Sequence, residues 1–464
     1  MLLVSIFTGW LLSASFAPID RWYLAPLAVA LWLWILSKDR HSIFNSLVIA
    51  FTFNAFLLHW SSIYVGSTPW LVLAFGEALL FLPLAWARGQ RIYFFPLIFI
   101  VMEEIRSRFP FGGFGWARLA FSQAEAPYRS VAAIGGVSLL SAMVLLIGFA
   151  LFFIVRNIRV SAFVLLSITG ILFITSIAPN LETRGVFRAL LVQGNVPQLG
   201  LDFNARAKAV FDLHIAQTQE ALRADTKYQV IIWPENSVDV DPFTNSDVRQ
   251  ALGAINTRTQ KPVIIGAVLN SGNGVKNASI LWNHGAKSSY IKQHITPFGE
   301  YIPLRALARY FSPYVDQVND FDSGTKDVFP QVDNVTIAPI ICYELIDDSY
   351  INRISTKSDL LVVQTNNATF GTSAQSIQQL SISRIRAIEN HRDLLSVSTT
   401  GISGSIDADG NIKQVTVQNQ AGHLFTQSNL YSGRTWANYL GWWSFWLLIM
   451  GLMLIGNIAR RLDS

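Results

Sequence analysis

The sequence predicts a multi-pass α-helical membrane bundle of about eight spans that carries an α/β domain in water, and three observations predict it. Of 464 residues, 51% are hydrophobic and only 14% charged, with 31 Phe and 14 Trp. Charge is sparse over residues 1–180 and 435–459, whereas 181–434 has the composition of a globular domain. Stretches such as Ser130–Val155 and Val160–Leu181 carry no charge at all and reach the roughly 20 residues that a helix needs to cross a bilayer.

The expected spans are 2–18, 22–37, 42–64, 69–87, 91–108, 130–155, 160–178 and 437–459. Lys38 and Arg40, Arg88 and Arg91, Arg156 and Arg159, and Arg460 and Arg461 follow spans two, four, six and eight. Cationic short loops stay in the cytoplasm, so both termini are expected inside and the 181–434 domain outside. The resulting division is 1–180 as seven spans, 181–434 as the extracytoplasmic domain, and 435–464 as the last span with a cytoplasmic tail. Ser13-Ala14-Ser15 resembles a leader cleavage site, but no basic segment precedes it, and the stretch is retained as span one.

One segment runs against the charge rule. Arg106, Arg108, Arg118 and Arg129 flank the aromatic, Gly-rich run Phe109–Trp116 on the expected outer face. Residues 109–129 are expected to be interfacial or re-entrant. Their arginines are either snorkelling anchors or a contact surface for lipid phosphates. Glu77 lies inside span four, where a helix-packing or water-cavity role is expected and no chemistry is assigned.

The net charge of +5 comes without a basic run or nucleic-acid module, so no nucleic acid is expected as partner. One cysteine excludes an intramolecular disulfide and a multi-Cys metal site. Seven histidines without ligand spacing leave no metal or other cofactor expected.

Within 181–434, apolar β-branched runs alternate with helical patterns, as in sheets covered by helices. Strands are expected at 187–192, 229–233, 262–268, 278–282, 288–292, 335–341, 359–364, 394–398 and 402–407, and helices at 204–224, 246–259, 344–354 and 374–390. The pair 394–398 and 402–406 reads as antiparallel, giving a mixed sheet.

Catalytic groups in such folds collect where strands end. Three strand ends stand out: Val230–Glu235 delivers a carboxylate, Tyr290–Glu300 delivers Lys292 and a second carboxylate, and Pro339–Glu344 delivers the thiol of Cys342. Singly, each has a plain structural reading: a buried inert thiol, a turn carboxylate, a solvated edge lysine. Together they form a nucleophile, a base for its proton, and a cation that lowers the thiol pKa and holds an oxyanion.

Trp233-Pro234-Glu235, Lys292 with Pro297-Phe298-Gly299-Glu300, and Ile341-Cys342-Tyr343-Glu344 resemble the three catalytic motifs of the nitrilase (carbon–nitrogen hydrolase) superfamily. With multi-pass flanks, Leu191–Gln198, Thr365-Asn366-Asn367, Phe370-Gly371 and Arg384–Glu389, nearly the whole chain resembles the bacterial apolipoprotein N-acyltransferase family. One departure is Thr369, where that family often has Trp before Phe-Gly.

The resemblance implies an αββα sandwich on the bundle, in the plasma membrane. It implies ping-pong acyl transfer from a phospholipid to the α-amine of a diacylglyceryl-cysteine lipoprotein, with Cys342 as nucleophile, Glu235 as base and Lys292 at the oxyanion. It further implies supporting roles for Glu300, Tyr343, Glu344 and Glu389. Plain alternatives stand beside these: Glu300 organising its loop, and Glu389 pairing with Arg386 or Arg392 along a helix. A monomer is expected. The rival functions are a membrane-tethered amidase using water and a non-enzymatic receptor or transporter.

Overall fold

The computed structural model describes residues 1–63, 65–178, 181–196, 208–224, 226–272 and 274–464. Its chain divides into two compact units, Met1–Asn180 with Thr435–Ser464, and Leu181–Arg434.

The first unit is helical. Four segments are long and apolar enough to cross a membrane: Ser67–Trp86, Arg129–Ile154, Ile158–Ser176 and Trp442–Asp463. Leu2–Ala14, Leu24–Lys38 and Ser42–Leu57 are apolar but shorter. The expected fifth span is a helix of 12 residues, Phe95–Arg106. It follows directly on the 3-10 helix Gly89–Phe94. Small residues let the helices approach closely. A Cβ on Gly148 would lie 2.6 Å from Val29 Cβ, so helix Ala132–Ile154 meets helix Leu24–Lys38 through that glycine.

The segment after the fifth helix differs from both sequence readings. Phe109 and Phe111 are exposed, but Arg106 and Arg118 are fully buried, and most of Gly113–Tyr128 is buried with them. The physical reason is that the compensating charges lie inside the unit. Arg106 Nε stands 3.3 Å from Glu77 Oε2, and Arg118 lies 3.9 Å from both Glu103 and Glu104. Arg118 also donates to Ser138 Oγ at 2.6 Å. These two arginines are therefore neither snorkelling anchors nor lipid contacts, and Glu77 is buried against Arg106. Arg108 remains half-exposed, pairs with Glu104 and stacks over Trp442 at 4.3 Å.

The second unit holds twelve strands: β1 Thr183–Gln193, β2 Val230–Ile232, β3 Val263–Ser271, β4 Gly274–Trp282, β5 Ala286–Ile291, β6 Gln331–Val332, β7 Val335–Ile341, β8 Leu360–Thr365, β9 Leu394–Ser398, β10 Gly404–Ile406, β11 Ile412–Val415 and β12 Gly422–Tyr431. They form two six-stranded sheets, ordered β12-β1-β2-β3-β4-β5 and β11-β10-β9-β8-β7-β6. The centres are parallel (β1–β2–β3 and β7–β8–β9), and the margins antiparallel.

Alternation along the strands builds the layers. Phe187, Ala189, Leu191, Val230, Ile232 and Ile264 pack against Ile337, Leu360, Val362, Leu395 and Val397 between the sheets. Their neighbours Leu190, Val192, Ile231, Trp233, Val263 and Ile265 face the other way, onto Phe211 of helix Ala209–Ala221 and Val248, Leu252 and Ile255 of helix Ser246–Thr259. Helices Asp348–Ser355 and Gln375–Asn390 cover the second sheet, tied to it by Tyr350 Oη to Pro339 O at 2.7 Å and to each other by Ser355 Oγ to Asn390 Oδ1 at 2.6 Å. The result is helix, sheet, sheet, helix.

The nine expected strands all exist, two with the same bounds, and the 394–398 hairpin partner pairs as read. The sequence reading missed β6, β11 and the ten-residue β12. β11 is wholly exposed, and β12 is a polar edge strand whose order comes from antiparallel pairing along β1. The expected helix at 344–354 is a 3-10 turn, Cys342–Ile346, followed by helix Asp348–Ser355. The start of the expected 204–224 helix, and residues 197 and 198 of the Leu191–Gln198 motif, lie outside the described residues.

Candidate active site

Each chemical group is delivered by the end of a strand. After β2, Trp233 keeps the chain in the sheet through its N–H to Ile264 O at 2.8 Å and anchors its indole on Thr218 Oγ1 at 3.0 Å. Glu235 then crosses directly over β3 at Gly266, where a Cβ would lie 2.6 Å from Glu235 Cα. Only glycine allows that approach. The Glu235 carboxylate is buried, and each oxygen is held: Oε1 accepts from Asn277 Nδ2 at 2.6 Å, and Oε2 from the Asn366 N–H at 2.8 Å.

Lys292 follows β5, fixed by its N–H to Asn277 O at 2.9 Å and by Gly324 N–H to its own carbonyl at 2.7 Å. Its buried ammonium stands 2.7 Å from Glu300 Oε2, 3.6 Å from Glu235 Oε1 and 3.2 Å from Thr296 Oγ1. Asn277 also donates to Glu300 Oε1 at 2.9 Å, so one side-chain amide spaces the two carboxylates on either side of the lysine.

Cys342 follows β7 in the left-handed region, with φ of +49°, an uncommon conformation for a residue with a Cβ. Glu344 holds it there. Its Oε2 accepts from the Ile341 N–H at 2.8 Å. Its Oε1 accepts from Tyr290 Oη at 2.5 Å and from the N–H groups of Gln293 at 2.8 Å and His294 at 3.3 Å. One carboxylate thus ties the turn bearing the cysteine to the turn bearing the lysine. Tyr343 is half-buried beside the thiol.

Burial and charge divide the acids. Burial pushes Glu235 above the ordinary carboxylate value; Lys292 opposes this and Glu300 adds to it. Burial also acts on Glu300, but Lys292 at 2.7 Å outweighs it and holds that carboxyl below its ordinary value. For Lys292, burial works against the charge, yet Glu300 and Glu235 win and raise it. The Cys342 thiol is raised by burial and by Glu235, with Lys292 pulling the other way. The sequence expectation that the cation lowers the thiol pKa thus holds for its own contribution but loses to burial. Of the two carboxylates beside Lys292, Glu235 is the one whose proton affinity is raised.

Glu235, Lys292, Glu300 and Cys342 therefore converge. Glu344 sits beneath them as a clamp, while Glu389 belongs to another cluster, with Arg386 Nη1 2.7 Å from Glu389 Oε2 and Arg386 Nη2 2.7 Å from Asp348. Sequence reasoning overlooked Asn277. Its one signal is an amide in a β-strand whose following residues, Ala278–Trp282, are buried.

Comparison with known proteins fits both units. Residues 8–150 match the apolipoprotein N-acyltransferase N-terminal domain, and residues 188–438 match the carbon-nitrogen hydrolase family. The apolipoprotein N-acyltransferase of Mycolicibacterium smegmatis is 31% identical across 97% of this chain and 83% of that protein. The chain belongs to the apolipoprotein N-acyltransferase family. Relatives of the same name from Shewanella oneidensis and Pseudomonas aeruginosa are 27% and 28% identical, across 99% and 91% of this chain and 96% and 88% of theirs. The residues matched by the carbon-nitrogen hydrolase family take in most of the two-sheet unit described above.

Proposed function

We propose that this membrane protein transfers a fatty acyl chain from a phospholipid to the N-terminal α-amine of diacylglyceryl-cysteine in apolipoproteins, through a thioester on Cys342. The observation that carries the reading is the Lys292 ammonium seated between Glu300 and Glu235, with the Cys342 thiol within their electrostatic reach, in a chain related over nearly its whole length to apolipoprotein N-acyltransferases.

In the first half-reaction Glu235 takes the thiol proton while Sγ bonds to the ester carbonyl carbon. The carbonyl oxygen becomes an oxyanion stabilised by Lys292, whose charge Glu300 keeps in place. Collapse breaks the carbon–oxygen bond, and the departing alkoxide takes the proton back from Glu235 as a lysophospholipid. In the second half, the lipoprotein amine bonds to the thioester carbonyl. Glu235 accepts the amine proton, the carbon–sulfur bond breaks, and the proton returns to sulfur. Thioesters yield readily to amines, which favours cysteine over serine here.

Loop charges support a domain outside the cytoplasm and both termini inside, with all eight apolar segments embedded. Both substrates are lipid-anchored, which accounts for a site carried by a membrane protein. The test is mass spectrometry of the protein incubated with phospholipid. An acyl adduct on Cys342, absent from Cys342→Ala and discharged by a diacylglyceryl peptide, is expected. Release of ammonia from small amides without N-acylation of the peptide would establish an amidase instead.

A further inference from the structure

Gln379 lies on helix Gln375–Asn390, buried, with Nε2 3.9 Å from Cys342 Sγ. Carboxamides can be turned over without changing shape, so a donor facing sulfur must be argued from the partners. Here the partners form a chain that starts at a group with only one possible role. The backbone N–H of Gly401 donates to Ser398 Oγ at 2.8 Å. The Ser398 hydroxyl hydrogen has Asn367 Oδ1 as its one acceptor among the described residues and donates there, and that oxygen also accepts from Thr365 Oγ1 at 2.8 Å. Asn367 Oδ1 is thereby the acceptor end, and Nδ2 donates to Gln375 Oε1 at 2.5 Å and to Gln379 Oε1 at 2.9 Å. Gln375 Nε2 also points at Gln379 Oε1, at 3.4 Å. Both donors fix Gln379 Oε1 as acceptor. The remaining end, Nε2, must face the thiol.

We propose that Gln379 is a further catalytic residue, a side-chain N–H donor held by the Gly401–Ser398–Asn367 relay and aimed at the nucleophilic sulfur, where it stabilises the thiolate formed when Glu235 takes the proton. The assignment rests on the reading of Cys342 as nucleophile. Sulfur is a weak acceptor when neutral and a much better one when charged, so a contact that is long at rest tightens when the proton leaves. The site needs such a donor, because the charges of Glu235 and Glu300 both disfavour the thiolate and Lys292 has both to offset. Every member of the relay is buried, Gly401 included, which keeps water from turning the amides over.

The experiment is iodoacetamide alkylation of the full-length protein in phospholipid vesicles over a neutral-to-alkaline pH series, read by mass. Cys342 is the only cysteine of the chain, so label reports that sulfur alone. Unfolded chains expose a thiol of ordinary pKa and alkylate at lower pH, so loss of folding moves the midpoint down whereas loss of the donor moves it up, which separates the donor from a merely structural role. Gln379→Leu is expected to move the midpoint upward and to slow alkylation at neutral pH about tenfold. Gln379→Glu, which keeps the acceptor for Asn367 but puts an anion against sulfur, is expected to move it further. Ser398→Ala, which releases the relay far from the sulfur, is expected to move it in the same direction by less. A midpoint unchanged in Gln379→Leu, or no higher in Gln379→Glu than in Gln379→Leu, overturns the donor; an unchanged Ser398→Ala overturns the relay. Wild-type protein that alkylates with the expected profile but forms no thioester with phospholipid overturns the acyl-transfer reading and leaves the donor standing.

Discussion

Glu300 Oε2 lies 2.7 Å from Lys292 Nζ, nearly an ångström closer than Glu235 Oε1 comes to the same nitrogen at 3.6 Å. Two carboxylates around one ammonium are therefore unequal. Glu300 is held below its ordinary value, and Glu235 is raised above its own.

Glu300→Gln removes that inequality. Lys292 then pairs fully with Glu235, and the negative charge that helped to raise Glu235 is gone. Glu235 becomes a weaker base with a lower pKa. The expected outcome is a fall of about 100-fold in thioester formation, with the acidic limb of the pH–rate profile displaced to lower pH. Single-turnover acylation across pH checks it; a fall in rate with an unmoved limb would mean that Glu300 only organises its loop.

Glu235→Gln should separate two properties of the same sulfur. Glu235 raises the thiol through its charge, so the neutral amide lowers the Cys342 pKa and speeds alkylation at neutral pH. Acyl transfer, which needs the base, should fall by about 1,000-fold. A variant that retains acyl transfer would remove Glu235 from the role of base.

Glu344 accepts four hydrogen bonds, three from backbone N–H groups on two different turns. Glu344→Ala leaves buried donors without partners and releases the left-handed turn at Cys342. A loss on the order of 3 kcal/mol is expected, measured as a lowered unfolding midpoint in detergent, together with weakened acylation because the Cys342 and Lys292 turns separate. Glu344→Gln retains an acceptor toward one turn and should fall between the two.

Much of this arrangement was legible because strands end in reactive side chains: the buried Val230–Ile232 before Glu235, the nearly buried Val335–Ile341 before Cys342, and the edge strand Ala286–Ile291 before Lys292. Continuous apolar runs make the first two visible in one dimension. The inequality of Glu235 and Glu300 was not legible, since it depends on which carboxylate stands closer to Lys292 in space. Nor was the clamp by Glu344, because its partners Gln293 and His294 are some fifty positions away and contribute backbone groups, which carry no sequence signature. Burial was misread at Arg106 and Arg118 for a related reason. An arginine near an aromatic run looks interfacial until the carboxylates that compensate it are placed beside it.

That compensation gives the last prediction, in the helical unit. Arg106 is fully buried, with Glu77 at 3.3 Å and the Phe81 ring under its guanidinium at 4.8 Å. Removing one partner of a buried ion pair strands the other charge, which costs about 3–5 kcal/mol, whereas replacing both by apolar groups of similar volume is often neutral. Glu77→Leu alone should therefore lower the thermal unfolding midpoint in detergent sharply. Glu77→Leu combined with Arg106→Met should recover most of the loss, and acyl transfer should recover with it. If the double variant is as unstable as the single one, Arg106 holds the bundle through more than its charge on Glu77. If it is stable but inactive, the pair acts on the reaction and not merely on helix packing.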